Sequence, residues 1–280
     1  LRTEENQLKR KILLWTSILV NLGFLGFFKY YNFFLDNFIT AFSFFGQEIQ
    51  GNSLNIILPV GISFYTFQTL SYTIDVYNGK TKAEKNLSYF ALYVCFFPQL
   101  VAGPIERYNS LMPQLKEKAQ LVIQNISHGG RLILYGLFMK MVIADNLGVF
   151  VDSVYGDIVG TSSLNLLIGS VFYSFQIYCD FHGYTTIAIG SAKLFNVNLS
   201  ENFRTPYLST SVTEFWRNWH ITLTSWFRDY IYYPLGGNRS TVLKWVLAIL
   251  TVFIVSGVWH GAKWTFILWG LFHALFVLFE

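Results

Sequence analysis

Charged residues are scarce in this chain. They make up 13% of its 280 residues, whereas hydrophobic residues make up 53% and aromatic residues 19%. A soluble domain carries about a quarter charged residues, so the composition excludes an ordinary soluble globular protein. We therefore interpret the sequence as an all-α, polytopic membrane protein that forms a single membrane domain over residues 1–280.

Cysteines are scarce as well, and recognisable catalytic or nucleotide-binding motifs are missing. Cys95 and Cys179 both lie in apolar runs, where a free thiol behaves as a small hydrophobe, and two such residues make neither a disulfide framework nor a metal site. No Gly-rich phosphate loop, paired zinc-ligand motif or serine elbow is present. The net charge of +4 is modest, and the lysines and arginines cluster between apolar runs, which indicates topology signals rather than a nucleic-acid surface.

Long apolar runs predict where the membrane helices lie. We expect spanning helices at residues 12–28, 54–74 and 131–151, the second of them starting near Pro59-Val60-Gly61. A closing pair of hydrophobic runs is expected at 245–259 and 264–279. Residues 33–45 are expected to form an interfacial or short buried helix. The chain begins and ends without a start methionine or a polar C-terminal segment, so we expect further helices on both sides.

Polar residues inside these runs predict which sides of the helices face the protein interior rather than lipid. Those that recur in residues 54–74 indicate burial against other helices rather than lipid. Lys140, Asp145 and Asn146 are expected to face the interior of the bundle. Gly183 lies between two apolar runs, at residues 164–178 and 185–197, and is expected to break the helix there.

Two segments are too short or too polar for ordinary spans. Residues 89–101 contain Pro98 and have positive segments on both sides, so we predict a re-entrant segment that enters and leaves the membrane by one face. The alternative is an ordinary short helix with a weak charge bias. Residues 214–234 are too charged to span and too aromatic for water, which predicts an amphipathic helix at the interface or dipping into the protein.

His260 is the main candidate for chemistry because it lies between the two closing apolar runs. A titratable group in such a place is costly and usually faces a cavity or a partner, and a histidine can serve there as a base. The alternative is a helix-end histidine satisfied by a backbone carbonyl. For His182 and His220 a hydrogen-bonded structural role is the default, for His273 a packing role, and for His128 a solvated loop.

Six motifs together resemble one known family. They read FPQLVAGPI at residues 97–105, DFHGY at 180–184, EFWRNWHITL at 214–223, WFRDY at 226–230, PLGGNR at 234–239 and GVWHG at 257–261. Their order and spacing resemble the membrane-bound O-acyltransferase family, most closely its alginate O-acetyltransferase branch, with the D-alanyl transfer proteins of teichoic acid synthesis as more distant relatives. One departure is His182, where many relatives have Ser or Ala.

The resemblance implies a helix bundle around a central tunnel, through which an acyl donor and a hydroxyl acceptor reach a histidine from different sides. His260 matches the family's catalytic histidine and is expected to act as general base. His220 matches the second characteristic histidine and is expected to hold the acceptor or to polarise the acyl carbonyl. Trp219, Trp226 and Arg228 are expected to shape or charge the cytoplasmic entrance. A further candidate for substrate binding is Asp180.

The implied activity is transfer of acetyl groups from a thioester, acetyl-CoA by resemblance, to hydroxyls of an exported polysaccharide such as alginate. Transfer is expected in the bacterial inner membrane, directly or through a periplasmic relay protein, with no bound cofactor, metal or nucleic acid. Two alternatives stay open. One is a transporter or channel with an ion path through Lys140, Asp145, Asp180 and His260, which the absence of repeats disfavours. The other is a scaffold subunit of an export complex, which the Trp-His-Gly motif disfavours.

The re-entrant segment can be tested by labelling cysteines on either side of it. Single cysteines at Lys82 and Lys116, in a background lacking Cys95 and Cys179, should both react with an impermeant thiol reagent from the cytoplasmic face. Both positive segments should stay on that face if residues 89–101 turn back. Labelling of the two cysteines from opposite faces would show that the segment crosses.

Overall fold

The computed structural model describes residues 6–46, 51–118 and 120–280. Within these ranges the chain is helical and contains no β-strand, which confirms the all-α class. The α-helices are α1 (Gln7–Leu25), α2 (Tyr31–Phe44), α3 (Ile62–Tyr77), α4 (Leu87–Cys95), α5 (Tyr108–Lys116), α6 (Ile123–Leu137), α7 (Asp145–Gly156), α8 (Ser163–Leu194), α9 (Val212–Asn218), α10 (Ile221–Phe227), α11 (Val242–His260) and α12 (Trp264–Phe279).

Wider π-helical turns interrupt this framework at three places, namely Gly26–Tyr30, Phe138–Ala144 and Arg228–Tyr232. Each inserts an extra residue into a helix and so redirects the side chains that follow, a feature often found at functional sites. Among the described residues, three helical stretches are long and apolar enough to cross a membrane: Gln7–Phe44, Ile123–Gly156 and Val242–His260. The chain divides into two compact units, one of residues 1–87 and 205–280 and the other of residues 88–204.

The first unit starts with one long helical stretch rather than two separate helices. Asn6 caps it, because its side-chain oxygen accepts hydrogen bonds from the backbone amides of Leu8 (2.9 Å) and Lys9 (3.3 Å). The π turn then joins α1 to α2 without a break, so that the apolar stretch covers 38 residues. The short buried alternative for residues 33–45 was wrong, since α2 buries none of its side chains, and the interfacial position stays a prediction.

Helix α3 lies beside α1 and begins next to the Pro59-Val60-Gly61 segment, as the sequence predicted. The run starts at residue 54, but the helix starts only at Ile62, because Gly61 before it has a positive φ of 76° that a continuous helix does not allow. Its polar face packs inward as expected. The Thr69 hydroxyl donates to the Asn21 side-chain oxygen at 2.6 Å, and Gln68 and Ser71 are buried.

The closing pair of hydrophobic runs forms two adjacent helices, α11 and α12, as the sequence predicted. Glycines let their backbones approach closely. A Cβ atom at Gly257 would meet the Phe266 carbonyl group, and one at Gly270 would meet that of Phe253. Small residues at such contacts are typical of helix packing in membranes, where close backbone approach replaces the hydrophobic effect.

The second unit shows that Gly183 does not break a helix. Helix α8 runs unbroken through it from Ser163 to Leu194. A Cβ at Gly183 would lie 2.7 Å from the carbonyl oxygen of Gly136 in α6, and Gly129 and Gly190 form a second pair of this kind. The expected break was therefore wrong, because these glycines allow close helix packing rather than ending the helix.

The polar residues of the third predicted span are placed only partly as expected. Lys140 is half-buried and bridges two carboxylates, with its Nζ 2.7 Å from Asp145 and 2.6 Å from Asp180. Asp145 and Asn146 are exposed within the described part of the chain, so the expected interior position was wrong for both. The Asn146 side-chain amide instead donates a hydrogen bond to the backbone carbonyl of Val142, four residues earlier, at 2.8 Å.

The run at residues 89–101 forms the short helix α4, a bend and the 3₁₀ turn Phe97–Gln99 that contains Pro98. The Gln99 side-chain amide donates to the Tyr93 carbonyl at 2.8 Å and ties the turn back onto α4. This geometry does not decide on which side of a membrane the ends lie, so the re-entrant segment stays a prediction.

The glycine pairing makes a prediction about stability. Gly136→Ala would place a methyl group 2.5 Å from the Gly183 carbonyl oxygen, so we expect a loss of about 1–3 kcal/mol from overpacking. A methyl group at Gly130 on the same helix would meet no atom within 4 Å, so Gly130→Ala should be neutral or stabilise by up to about 1 kcal/mol. Thermal unfolding in detergent measures both, and equal effects would contradict the packing role.

Candidate functional site

His220 lies at a break in the predicted amphipathic helix. Ser211 caps α9, since its hydroxyl accepts from the Glu214 amide at 3.1 Å, and α9 ends at Asn218. His220 has a φ of 44° and a ψ of 55°, in the left-handed region, before α10 starts at Ile221. The expectation of one amphipathic helix was wrong, because a residue in this conformation cannot continue a right-handed helix.

Strain of this kind is stored where the surroundings fix it, and such positions cluster at functional sites. His220 meets that description, since it is 2% exposed. Its ring stacks near Phe64, with ring centres 6.5 Å apart. Burial lowers the pKa of the His220 imidazole well below its ordinary value, and the nearby His260 lowers it further. His220 is therefore neutral at pH 7.

His260 is the last residue of α11, where Gly261 turns the chain into an extended conformation. Its side chain is exposed but has aromatic neighbours, with ring centres 4.8 Å from Trp259 and 5.1 Å from Trp269. The histidine thus stands at a helix end and is open on one side, which is the position a group needs to meet a substrate.

His220 and His260 line the same cavity, which has a volume of about 50 Å³. The remaining wall comes from three elements of the first unit: Trp216, Trp219, Leu223, Thr224, Phe227, Val252, Phe253 and Ser256. The buried Trp259 packs against both histidines, with its ring centre 6.0 Å from that of His220 and 4.8 Å from that of His260. Two imidazoles therefore meet one small, mostly apolar space.

Ser256 and Phe253 of α11 are cavity residues that the sequence patterns did not predict. They lie on the His260 face of the helix, since residues three or four apart are neighbours on a helix surface. Counting back from His260 by this spacing would have found Ser256. Trp216 was missed as well, and its indole Nε1 is buried without a hydrogen-bond partner among the described residues.

Trp219 is the one predicted binding residue that shares the cavity with both histidines. Trp226 belongs to the core instead, because its Nε1 donates to the Phe67 carbonyl at 3.0 Å and its ring lies 4.3 Å from that of Phe67. Arg228 is exposed beside Asp229. The predicted binding roles of Trp226 and Arg228 stay predictions, but neither residue lines this cavity.

Asp180 belongs to the second unit, where it pairs with Lys140, and its binding role also stays a prediction. His273 packs between Trp216 and Trp269, with ring centres 4.9 and 4.8 Å away, as expected of a packing residue. His182 stacks on Tyr178 at 5.3 Å.

No group of three or more histidine, cysteine or acidic side chains in the described part of the chain is arranged to hold a metal ion. The cavity itself offers two imidazoles, two hydroxyls and aromatic walls. Such a set can move a proton and hold a small uncharged group.

Comparisons with known proteins identify the class to which this arrangement belongs. Residues 84–280 match the sequence model of MBOAT, the membrane-bound O-acyltransferase family. Because the match covers more than half of the chain, the chain belongs to the membrane-bound O-acyltransferase family.

Individual relatives agree with the branch that the motifs indicated. A probable alginate O-acetylase AlgI of Azotobacter vinelandii is 39% identical over 94% of this chain and 52% of its own length. A peptidoglycan O-acetyltransferase of Helicobacter pylori is 39% identical over 98% of this chain and 56% of its own length. A teichoic acid D-alanyltransferase of Bacillus subtilis is 28% identical over 79% of this chain and 58% of its own length. The chain thus spans about half the length of these relatives.

The position of Trp226 predicts a structural effect. Trp226→Ala should destabilise the protein by about 3–5 kcal/mol, the range for emptying a buried aromatic site, because it removes the ring packed on Phe67. Trp15, which is 59% exposed, provides the control, and Trp15→Ala should stay within about 0.5 kcal/mol of wild type. Thermal unfolding in detergent compares the two, and a stable Trp226→Ala protein would show that the ring is not a core residue.

Proposed function

We propose that this chain forms the site of an O-acyltransferase that moves acetyl groups from a thioester donor to hydroxyls of an exported polysaccharide. The observation that carries the proposal is the shared cavity of His220 and His260, in a chain that belongs to the membrane-bound O-acyltransferase family.

His260 is proposed as the general base. It accepts the proton of an acceptor hydroxyl while that oxygen attacks the carbonyl carbon of the acetyl thioester. The tetrahedral intermediate then expels the thiolate, the C–S bond breaks, and the proton passes from the imidazole to the leaving sulfur. Such proton transfer contributes about 10²–10⁴-fold to a rate.

His220 is proposed to act as a neutral hydrogen-bonding group. A neutral imidazole carries one N–H donor and one acceptor nitrogen, so it can hold the acceptor hydroxyl or donate to the carbonyl oxygen of the acyl group. Its burial and its fixed backbone conformation support this role, because a donor that is already oriented costs no reorganisation during the reaction.

The size of the cavity supports a short acyl group. About 50 Å³ is the room of roughly four water molecules, at about 10–15 Å³ for each. An acetyl group has three heavy atoms and fits that room.

The acceptor is proposed from chemistry shared by the relatives. Alginate and peptidoglycan, which appear in the names of two of them, are both polymers of hydroxyl-bearing sugars. We propose a polysaccharide of this kind as the final acceptor, reached directly or through a relay protein in the periplasm, with acetyl-CoA as donor. The apolar helices and the bacterial relatives support a place in the bacterial inner membrane.

Family membership argues against the two alternatives. A transporter or a scaffold subunit has no need for two histidines at one small cavity. The transporter alternative also needs Lys140, Asp145 and Asp180 as part of an ion path with His260, whereas Lys140 pairs with both of these carboxylates.

Variants of the two histidines test the proposed reaction. In membranes that contain the complete protein, radiolabelled acetyl-CoA is supplied and labelled polymer or protein is measured. His260→Ala should lower acetyl transfer at least about a hundredfold, the low end for losing a general base. His220→Asn should weaken acceptor use and retain slow thioester hydrolysis; asparagine is chosen because it tolerates the left-handed conformation.

Both variants must accumulate in the membrane at wild-type levels for the rates to be compared. His273→Asn serves as the control, because His273 lies nearby but does not line the cavity. Transfer at the wild-type rate by an abundant His260→Ala protein would contradict the base assignment, and a wild type without labelled product would favour the transporter or scaffold alternatives.

A further inference from the structure

Lys29 is a cationic side chain inside the longest apolar stretch of the chain, Gln7–Phe44. Such residues are costly in a membrane and normally face a specific partner in the interior. Lys29 lies in the π turn Gly26–Tyr30 that follows α1. The groups that the Lys29 ammonium contacts therefore indicate the role of its charge.

The Lys29 ammonium group reaches the end of α11. Its Nζ donates to the backbone carbonyl oxygen of Trp259 and, at 3.1 Å, to the hydroxyl of Ser63. It also lies 5.5 Å from the centre of the Trp259 ring, within the range of a cation–π contact. The contacts between Lys29 and Trp259 join residues 230 positions apart in the sequence.

The next residue in the same π turn contacts the neighbouring carbonyl. The Tyr30 hydroxyl donates to the backbone oxygen of Val258 at 2.7 Å, and Tyr30 packs with Leu25 and Ile62 in a buried cluster that Val258 adjoins. Two consecutive side chains of one turn thus bind two consecutive carbonyls of another helix.

Those carbonyls need partners because α11 stops there. The last four carbonyls of a helix have no partner within it, and at Gly261 the chain becomes extended. The Gly261 amide returns only to the Gly257 carbonyl, at 3.3 Å. Tyr30 supplies the partner for the Val258 carbonyl, and Lys29 supplies the partner for the Trp259 carbonyl. A cation at this end of the helix also interacts favourably with the negative end of the helix dipole.

His260 directly follows these two carbonyls. We propose that Lys29 is a positioning residue that fixes the end of α11, and thereby aims the His260 imidazole into the cavity. This inference rests on the proposed function, in which His260 is the base. The required feature is the cation rather than packing alone, because the ammonium group satisfies the Trp259 carbonyl, the Ser63 hydroxyl and the helix dipole together.

Substitutions at Lys29 separate charge, hydrogen bonding and bulk. Lys29→Met keeps the length of the side chain and removes every polar contact. Lys29→Gln keeps one donor without the charge, and Lys29→Arg keeps the charge. Initial rates of acetyl transfer are measured against acetyl-CoA concentration in membranes containing the complete protein. Lys82→Met, at an exposed loop lysine of the same unit, is the matched control.

Misplacing a reacting group by about 1 Å can cost about a hundredfold in rate. We therefore expect Lys29→Met to lower kcat about tenfold to a hundredfold with KM for acetyl-CoA unchanged within about twofold. Lys29→Arg should recover most of the rate and Lys29→Gln little of it. Tyr30→Phe, which removes only the bond to Val258, should cost less than Lys29→Met. A fall in kcat that Lys29→Arg does not restore would contradict a role of the charge.

A second measurement does not depend on activity. Hydrogen exchange followed by mass spectrometry should show faster exchange at the C-terminal turn of α11, residues 257–260, in Lys29→Met, and unchanged exchange in Lys82→Met. Unchanged exchange there together with wild-type kcat would overturn the inference. If His260→Ala proves fully active while Lys29→Met loosens the helix end, the proposed function fails and Lys29 is only a structural anchor.

Discussion

The end of helix α11 imposes the constraint on which the rest of the first unit depends. A helix that stops in apolar surroundings leaves backbone carbonyls that water cannot satisfy. In this chain the π turn Gly26–Tyr30 supplies an ammonium group and a phenol to two of them, and Ser63 of α3 takes part in the same contact. Helices α1, α3 and α11 therefore meet at the residue before His260.

Trp259 connects the end of α11 with His220, the second histidine of the cavity. Its ring packs near both imidazoles, and its indole Nε1 donates to the Ser63 carbonyl at 3.4 Å. A rigid aromatic ring with one polar edge can fill an apolar wall and still be held in one orientation. The spacing of the two histidines around the cavity is thus set by a residue that does not line it.

Local sequence patterns predicted the structural features that depend on residues close together in the sequence. Apolar length and the closing pair of runs were enough to predict α11 and α12. The family resemblance, rather than a local pattern, selected His220 and His260, which line one cavity. The errors have a common cause in long-range contacts. The sequence suggested a helix break at Gly183 because it does not show the packing against Gly136. It also gives no sign that the Trp226 ring packs on Phe67, and no spacing rule connects Lys29 with Trp259.

The placement of charge near the cavity also follows from the chemistry that a base requires. A permanent charge inside the cavity would hold water there and would compete for the substrate's polar atoms, whereas neutral imidazoles in an apolar wall leave a small group free to enter. Lys29 meets this requirement because its ammonium group donates to the backbone carbonyl of Trp259 and to the Ser63 hydroxyl, and Lys29 does not line the cavity of His220 and His260. In the proposed reaction, the cation can then orient the base without occupying the place proposed for the acyl group.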